Sequence, residues 1–170
     1  GEVGKAIDHY NQALIISNEI GDRRAEGNHL GNLGNVYADL GEVEKAIDHY
    51  NQALVISNEI GDRWGEGAGL GNLGNAYADL GEIEKAVDHY NQALIISKKM
   101  GDRRGEGADL GNLGNAYADL GEVKKAIAHY NQALVISREL GDRRGEGAGL
   151  GNLGNAYADL GEVGKSITYY

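Results

Sequence analysis

The 170-residue sequence contains no cysteine, which excludes disulfide frameworks, thiolate zinc sites and cysteine nucleophiles. It has no proline, so no proline-rich linker interrupts it, and aromatics are sparse at 6%. Cationic side chains are few: 16 Lys and Arg stand against 26 Asp and Glu, for a net charge of -10. That balance opposes tight binding to a phosphate backbone, which needs clustered Lys and Arg, so no nucleic-acid partner is expected. No apolar run approaches the roughly 20 residues that span a bilayer. The start, Gly1-Glu2-Val3-Gly4, has neither the charged nor the apolar segment of a secretory leader. A cytoplasmic protein with no membrane partner is the expectation. What the chain does have is 41% apolar residues, enough for one core, and 28 glycines that need an explanation.

The glycines belong to a 40-residue repeat. Units 1–40, 41–80, 81–120 and 121–160 follow one another, with a partial unit at 161–170, and together they predict a single repeat array over 1–170. Units 41–80 and 121–160 differ at only five positions (44, 48, 58, 60 and 64), as recent duplication or deliberate idealisation would leave them.

Each unit carries two helical patterns. Val43, Ala46, Ile47, Tyr50, Ala53, Leu54 and Ser57 recur with helical spacing up to Gly61, a natural residue to follow a helix end; this is helix B. Asp62 is a natural N-cap for a second helix, helix A, which places Leu70, Leu73, Tyr77 and Leu80 on one face. Connections of two or three residues favour antiparallel neighbours, and no segment shows the alternation of a strand. The pattern predicts an all-α solenoid of about eight helices plus a C-terminal stub. Helix A also carries Gly65, Gly67, Gly69, Gly71 and Gly74, each costing about 0.8–1.0 kcal/mol relative to Ala in a helix interior. Such a helix needs tertiary contact, and Gly67, Gly71, Gly74 and Ala78 form a small-residue stripe that would let another helix approach.

Leu73-Gly74-x-x-Tyr77, followed by Ala86, Tyr90 and Ala93, resembles the tetratricopeptide repeat signature, and the match recurs from Leu33, Leu113 and Leu153. The 40-residue period, the Leu-Gly-Asn triplet and the Gly-Asp-Arg turn are similar to the longer-helix variant of Pins-type polarity adaptors, kinesin light chains and bacterial signalling proteins. The sequence departs from the standard subclass at the first aromatic of helix A, which is Leu30, Leu70, Leu110 and Leu150, and at the proline that commonly closes helix B. The resemblance implies a right-handed superhelical solenoid of antiparallel helix pairs with helix A lining a concave groove, and thus a non-enzymatic adaptor for an extended peptide of a partner protein.

On a helical wheel, residues 64, 68, 71, 75 and 79 fall within about 80° of one another, opposite the leucines. This face reads Arg24, Asn28, Gly31, Asn35 and Asp39 in the first unit and Trp64, Ala68, Gly71, Asn75 and Asp79 in the second. The third and fourth give Arg104, Gly111, Asn115 and Asp119, then Arg144, Gly151, Asn155 and Asp159. Stacked units would align an asparagine ladder between an arginine edge and an aspartate edge. A carboxamide can both donate and accept, so each Asn could pair bidentately with an extended peptide backbone. The arginines could select a carboxylate or phosphate, and Trp64 either anchors a ligand side chain or is a tolerated replacement. The competing reading of the ladder is a hydrated surface that repeats because everything here repeats, although exposed helix interiors ordinarily favour Glu, Lys or Gln over Asn.

Other motifs carry less. His9, His49, His89 and His129 lie one unit apart, not at metal-ligand spacing, and no cofactor is expected. The GxGxxG run Gly69–Gly74 falls mid-helix, without the strand a dinucleotide site needs. Residues 1–80 hold 13 acidic and 5 basic side chains, residues 81–170 hold 13 and 11, so an acidic partner should prefer the C-terminal half. An alternative function is a repeat scaffold, natural or designed, that self-associates head to tail through uncapped ends, where Val163, Ile167 and Tyr170 begin a further helix.

Overall fold

The structure, a computed structural model, describes residues 1–161. They form eight helices and no strand: α1 (Glu2–Glu19), α2 (Arg23–Asp39), α3 (Val43–Ile60), α4 (Arg63–Asp79), α5 (Ile83–Met100), α6 (Arg103–Asp119), α7 (Val123–Glu139) and α8 (Arg143–Asp159). Odd-numbered helices are the B pattern and even-numbered helices the A pattern. Two compact units result, Gly1–Glu82 with α1–α4 and Ile83–Tyr170 with α5–α8. The anticipated stub of Val163, Ile167 and Tyr170 lies outside the described residues.

Every connection uses the same chemistry. Gly21, Gly41, Gly61, Gly81, Gly101, Gly121, Gly141 and Gly161 all take positive φ between 66° and 75°, where a side chain is strained. After the B helices, Asp62 N–H then reaches back to Ser57 O at 2.8 Å, and the Asp62 side chain accepts from Gly65 N–H at 3.1 Å. Asp22, Asp102 and Asp142 cap their helices in the same way. One turn thus satisfies orphan groups at the end of one helix and the start of the next.

In the first unit, buried Ala46 and Tyr50 of α3 and Leu73 and Ala76 of α4 form a cluster against which Tyr37 of α2 packs. The second repeats it with Ala126, Tyr130, Leu134, Leu153 and Ala156, and Tyr117 of α6 packs on them. A B helix is therefore held between two A helices, and its core face cannot be buried by its own repeat alone. The last leucine of the A pattern departs from expectation: Leu80 sits beyond the helix end as the C-cap and is exposed, as are Leu40 and Leu160.

The small-residue stripe divides in two. A Cβ on Gly34 would lie 2.6 Å from Tyr50 Cδ1, and one on Gly114 2.5 Å from Tyr130 Cδ1. Gly27 and Gly107 likewise face Ile56 and Ile136 Cγ2 at 3.3 and 3.1 Å. Gly31, Gly71, Gly111 and Gly151, which the wheel assigned to the same stripe, meet nothing within 4 Å. Helix packing explains the first set and not the second.

This division predicts opposite responses to one methyl group. Gly34→Ala or Gly114→Ala should destabilise by about 1–3 kcal/mol, because a buried ring has to move. Gly31→Ala or Gly111→Ala should stabilise by about 0.8–1.0 kcal/mol through helix propensity. Urea unfolding of the four variants checks this, and destabilisation by the second pair would contradict it.

Candidate functional site

Each unit has one cavity between its A helices, floored by the intervening B helix. In the first, of about 170 Å³, α2 contributes Arg24, Asn28, Gly31, Asn32 and Asn35; α3 contributes Tyr50, Ile56 and Ser57; Asp62, Ala68 and Asn72 close the far side. In the second, of about 310 Å³, Arg104, Ala108, Gly111, Asn112 and Asn115 face Asp142, Ala148 and Asn152 across Tyr130 and Ile136. Of the open glycines, Gly31 and Gly111 lie in these linings, so the missing Cβ leaves cavity volume that no protein atom fills.

The cavity wall is organised by a buried tyrosine. Tyr50 lies against Gly34 and passes its hydroxyl to the rim, where it donates to Asn35 Oδ1 at 2.8 Å. Asn72 Nδ2 of α4 donates to the same oxygen at 3.4 Å. The second unit repeats both bonds: Tyr130 OH to Asn115 Oδ1 at 2.8 Å and Asn152 Nδ2 to Asn115 Oδ1 at 3.3 Å. Burial, followed by the carboxylates of Asp39 and Asp79, pushes the Tyr50 hydroxyl above its usual range, so it remains a donor. Burial and then Asp119 do the same for Tyr130.

This corrects the bidentate role expected of Asn35 and Asn115. An amide oxygen has two lone pairs, and both on Asn35 and Asn115 are engaged, so these side chains offer a ligand only their Nδ2 donors. The complementary acceptor is Oδ1 of Asn72 or Asn152, on the next A helix. Donor and acceptor are thus supplied by two repeats together. Asn72 and Asn152 lie off the helical-wheel face read from the sequence, although the Leu-Gly-Asn triplet holding them recurs in every unit, and both line the cavities.

The other anticipated residues are distributed unevenly. Arg24 and Asn28 line the first cavity, with Arg24 Nη1 3.7 Å from Asp62 Oδ2, and Arg104 lines the second. Asn75 and Asn155 are exposed on α4 and α8 and line neither cavity, and Arg144 is exposed at the start of α8. Asp39, Asp79, Asp119 and Asp159 are exposed at the last residues of their helices and also line neither, so no aspartate edge borders these cavities. Trp64 is 63% exposed on the first turn of α4, outside the first cavity.

The histidines do other work. His49 stacks on Tyr37 and His129 on Tyr117 with ring centroids 5.2 Å apart and near-parallel planes. Burial chiefly lowers the pKa of both, holding them neutral between helices. Among the described residues no three His, Asp or Glu converge as a metal site. Gly69 of the GxGxxG run and its counterpart Gly149 lie in helix interiors, where an added Cβ would stand 3.7 Å from Leu54 Cβ and 3.6 Å from Leu134 Cβ.

Comparison with known proteins agrees with this architecture. The sequence profile of the tetratricopeptide repeat matches residues 1–59, 26–99, 65–139 and 108–170, so the chain belongs to the tetratricopeptide repeat family. No curated protein sequence matches it. Among solved structures it is similar to BtubC (BKLC) from P. vanneervenii, with 24% identity, a TM-score of 0.92, and coverage of 99% of this chain and 70% of that one. It is also similar to RapI in its apo form, at 23% identity and a TM-score of 0.90, covering 99% of this chain and 47% of RapI. A putative kinesin light chain from Podosopora anserina with nearly identical TPR-like repeats shares 20% identity at a TM-score of 0.82, over 99% of this chain and 84% of that one. These likenesses show the fold: an all-α, TPR-like helical solenoid. No described helix is long and apolar enough to cross a membrane.

One buried acid lies behind the second cavity's wall. Asp109 of α6 accepts a 2.8 Å hydrogen bond from Ser97 Oγ of α5, and burial raises its pKa to about 6 despite that bond. A raised carboxyl pKa favours the protonated native state, so Asp109 adds stability below about pH 4 and loses that contribution as pH rises through 6. Histidine protonation acts oppositely, removing stability as pH falls below 6.5. The stability of Asp109→Asn relative to the parent should therefore rise by about 1 kcal/mol between pH 4 and pH 7, after discounting for solvent screening. Urea unfolding at both pH values measures this difference, and an unchanged gap would contradict it.

Proposed function

We propose that the protein is a binding module for an extended peptide segment of a partner protein, held across each cavity by a composite amide. Asn35 or Asn115 Nδ2 donates to a peptide carbonyl, and Asn72 or Asn152 Oδ1 accepts a peptide N–H. The observation carrying the reading is the pair of hydrogen bonds that commits Asn35 Oδ1 to Tyr50 and Asn72, leaving Asn35 Nδ2 as a donor and Asn72 Oδ1 as an acceptor on the rim. An extended backbone has unpaired groups of both kinds, whereas a helix does not. In line with this, a structurally similar Rap protein, at 21% identity and a TM-score of 0.82 over 96% of this chain and 46% of that one, is complexed with competence and sporulation factor. The two cavities belong to one array spanning 1–170, which performs no chemistry of its own.

The test separates binding from folding. Nine-residue peptides selected on an array would be titrated by fluorescence anisotropy against the parent and the double variant Asn72→Ala, Asn152→Ala. Affinity should fall about tenfold, as for a lost pair of hydrogen bonds, while the melting temperature changes little. Asn35→Ala and Asn115→Ala should lose stability as well, because each strands a tyrosine hydroxyl. Undiminished affinity in the double variant would refute the composite amide.

A second reading, head-to-tail self-association, draws on α1. Ile16 is 55% exposed, whereas Ile56, its counterpart on α3, is 4% exposed. If that face docks a second copy, light scattering will show mass rising with concentration, and Ile16→Glu will abolish the rise. A constant monomer mass from micromolar to millimolar protein rejects this reading.

A further inference from the structure

We propose that the α6–α7–α8 cavity reads an acidic side chain of the bound peptide through Arg104. The inference rests on the peptide reading above and adds the chemistry of the partner and the place where it is read. The chain carries the same cavity twice, and the contrast between the copies is the argument. In the first, Arg24 Nη1 lies 3.7 Å from Asp62 Oδ2, so a carboxylate of the protein already faces its guanidinium. In the second, Arg104 lines the cavity without an ion pair or hydrogen bond to any described residue.

Two further differences act in the same direction. Ala108 occupies the place of Asn28, one turn beyond the arginine, and the cavity is larger, about 310 against 170 Å³. There is thus more room beside Arg104 and no neighbouring carboxamide to compete for the incoming group. Asp142, the counterpart of Asp62, also lines this cavity and caps its helix in the same way, its Oδ1 accepting from Gly145 N–H at 3.0 Å, so capping is common to both copies and the ion pair is what differs. No ion pair joins it to Arg104. A guanidinium presents its donors in a planar fork that fits a carboxylate, and the near balance of charge in residues 81–170 opposes an acidic ligand less than residues 1–80 do. The occupant is therefore a Glu or Asp side chain, placed beside the peptide bond that Asn115 and Asn152 hold.

The experiment uses ¹H–¹⁵N NMR on the full chain, which registers even millimolar binding at the Arg Nε–H and Asn Nδ2–H₂ groups. Three probes are titrated: acetyl-Ser-Ala-Ser-Glu-Ser-Ala-Ser-amide, its Gln twin, and the Gln twin with a free C-terminus. The Glu peptide should bind at least about threefold more tightly than the Gln twin, with shifts at Arg104 Nε and Asn152 Nδ2. Arg104→Gln should remove that preference while leaving the backbone spectrum unchanged, and Arg24→Gln should leave the preference intact. Equal binding of the twins, with the asparagine amides shifting for both, overturns the role of Arg104 and keeps the peptide reading. A preference recovered by the free C-terminus overturns the side-chain assignment in favour of a chain end. If no asparagine amide shifts with any of the three probes, both readings fail together.

Discussion

The contact on which fold and cavity both depend is a tyrosine ring lying where a glycine has no Cβ. Tyr50 against Gly34, and Tyr130 against Gly114, bring a B helix so close to the preceding A helix that the ring is almost fully buried. Only the hydroxyl emerges, and it emerges beside an asparagine. A packing requirement inside the core thereby becomes an orienting force on the surface. The hydroxyl selects which end of the Asn35 carboxamide faces inward, and Asn35 in turn draws Asn72 across from the next A helix. The polar rim is organised before any ligand arrives, which lowers the entropy that binding would otherwise lose.

The glycine content of the A helices follows from the same geometry. Glycine at each of these positions weakens the helix in isolation, and a helix with several of them is not stable by propensity. Where the glycine faces Tyr50 or Ile56, tertiary contact offsets that cost. Where it faces the cavity, as at Gly31 and Gly111, no contact does. Stability therefore comes from the interfaces between successive helices, and the cavity glycines leave floor space at the expense of some of it. Ion pairs reinforce the junction from outside, since Arg23 of α2 holds both Glu26 on its own helix and Glu59 on α3, and Arg103 repeats this with Glu106 and Glu139.

Much of this was legible in the sequence because the deciding chemistry was local. Asp62 as a cap and Gly61 as a left-handed residue act within four positions, and the 40-residue period translated them into eight helices. Leu73 and Tyr50 were legible as core from helical spacing alone. The rim was harder to read, because its key bonds join residues 15 and 37 positions apart. A wheel drawn for one helix put Asn35 and Gly31 on one face, and both line the first cavity, but it could not reveal that Asn35 Oδ1 accepts from Tyr50 and from Asn72 of the following unit. For the same reason it grouped Gly31 with Gly34, although one faces open space and the other a tyrosine ring. The aspartates at helix ends shared the angular sector of the asparagines while lying too far along the axis to border the cavities.

Because each cavity takes its walls from two A helices and its floor from the B helix between them, no single repeat can form one. The cavity is thus out of register with the unit of duplication. Near-identical repeats preserve the tyrosine, the glycine and the asparagines that build every rim, while a substitution at a variable position alters a cavity without disturbing the frame. Asn28 against Ala108 and the pairing of Arg24 against the unpaired Arg104 are such differences. On the proposed reading, a repeated frame would hold the peptide backbone while a few variable wall residues read its side chains, which separates the grip from the selectivity.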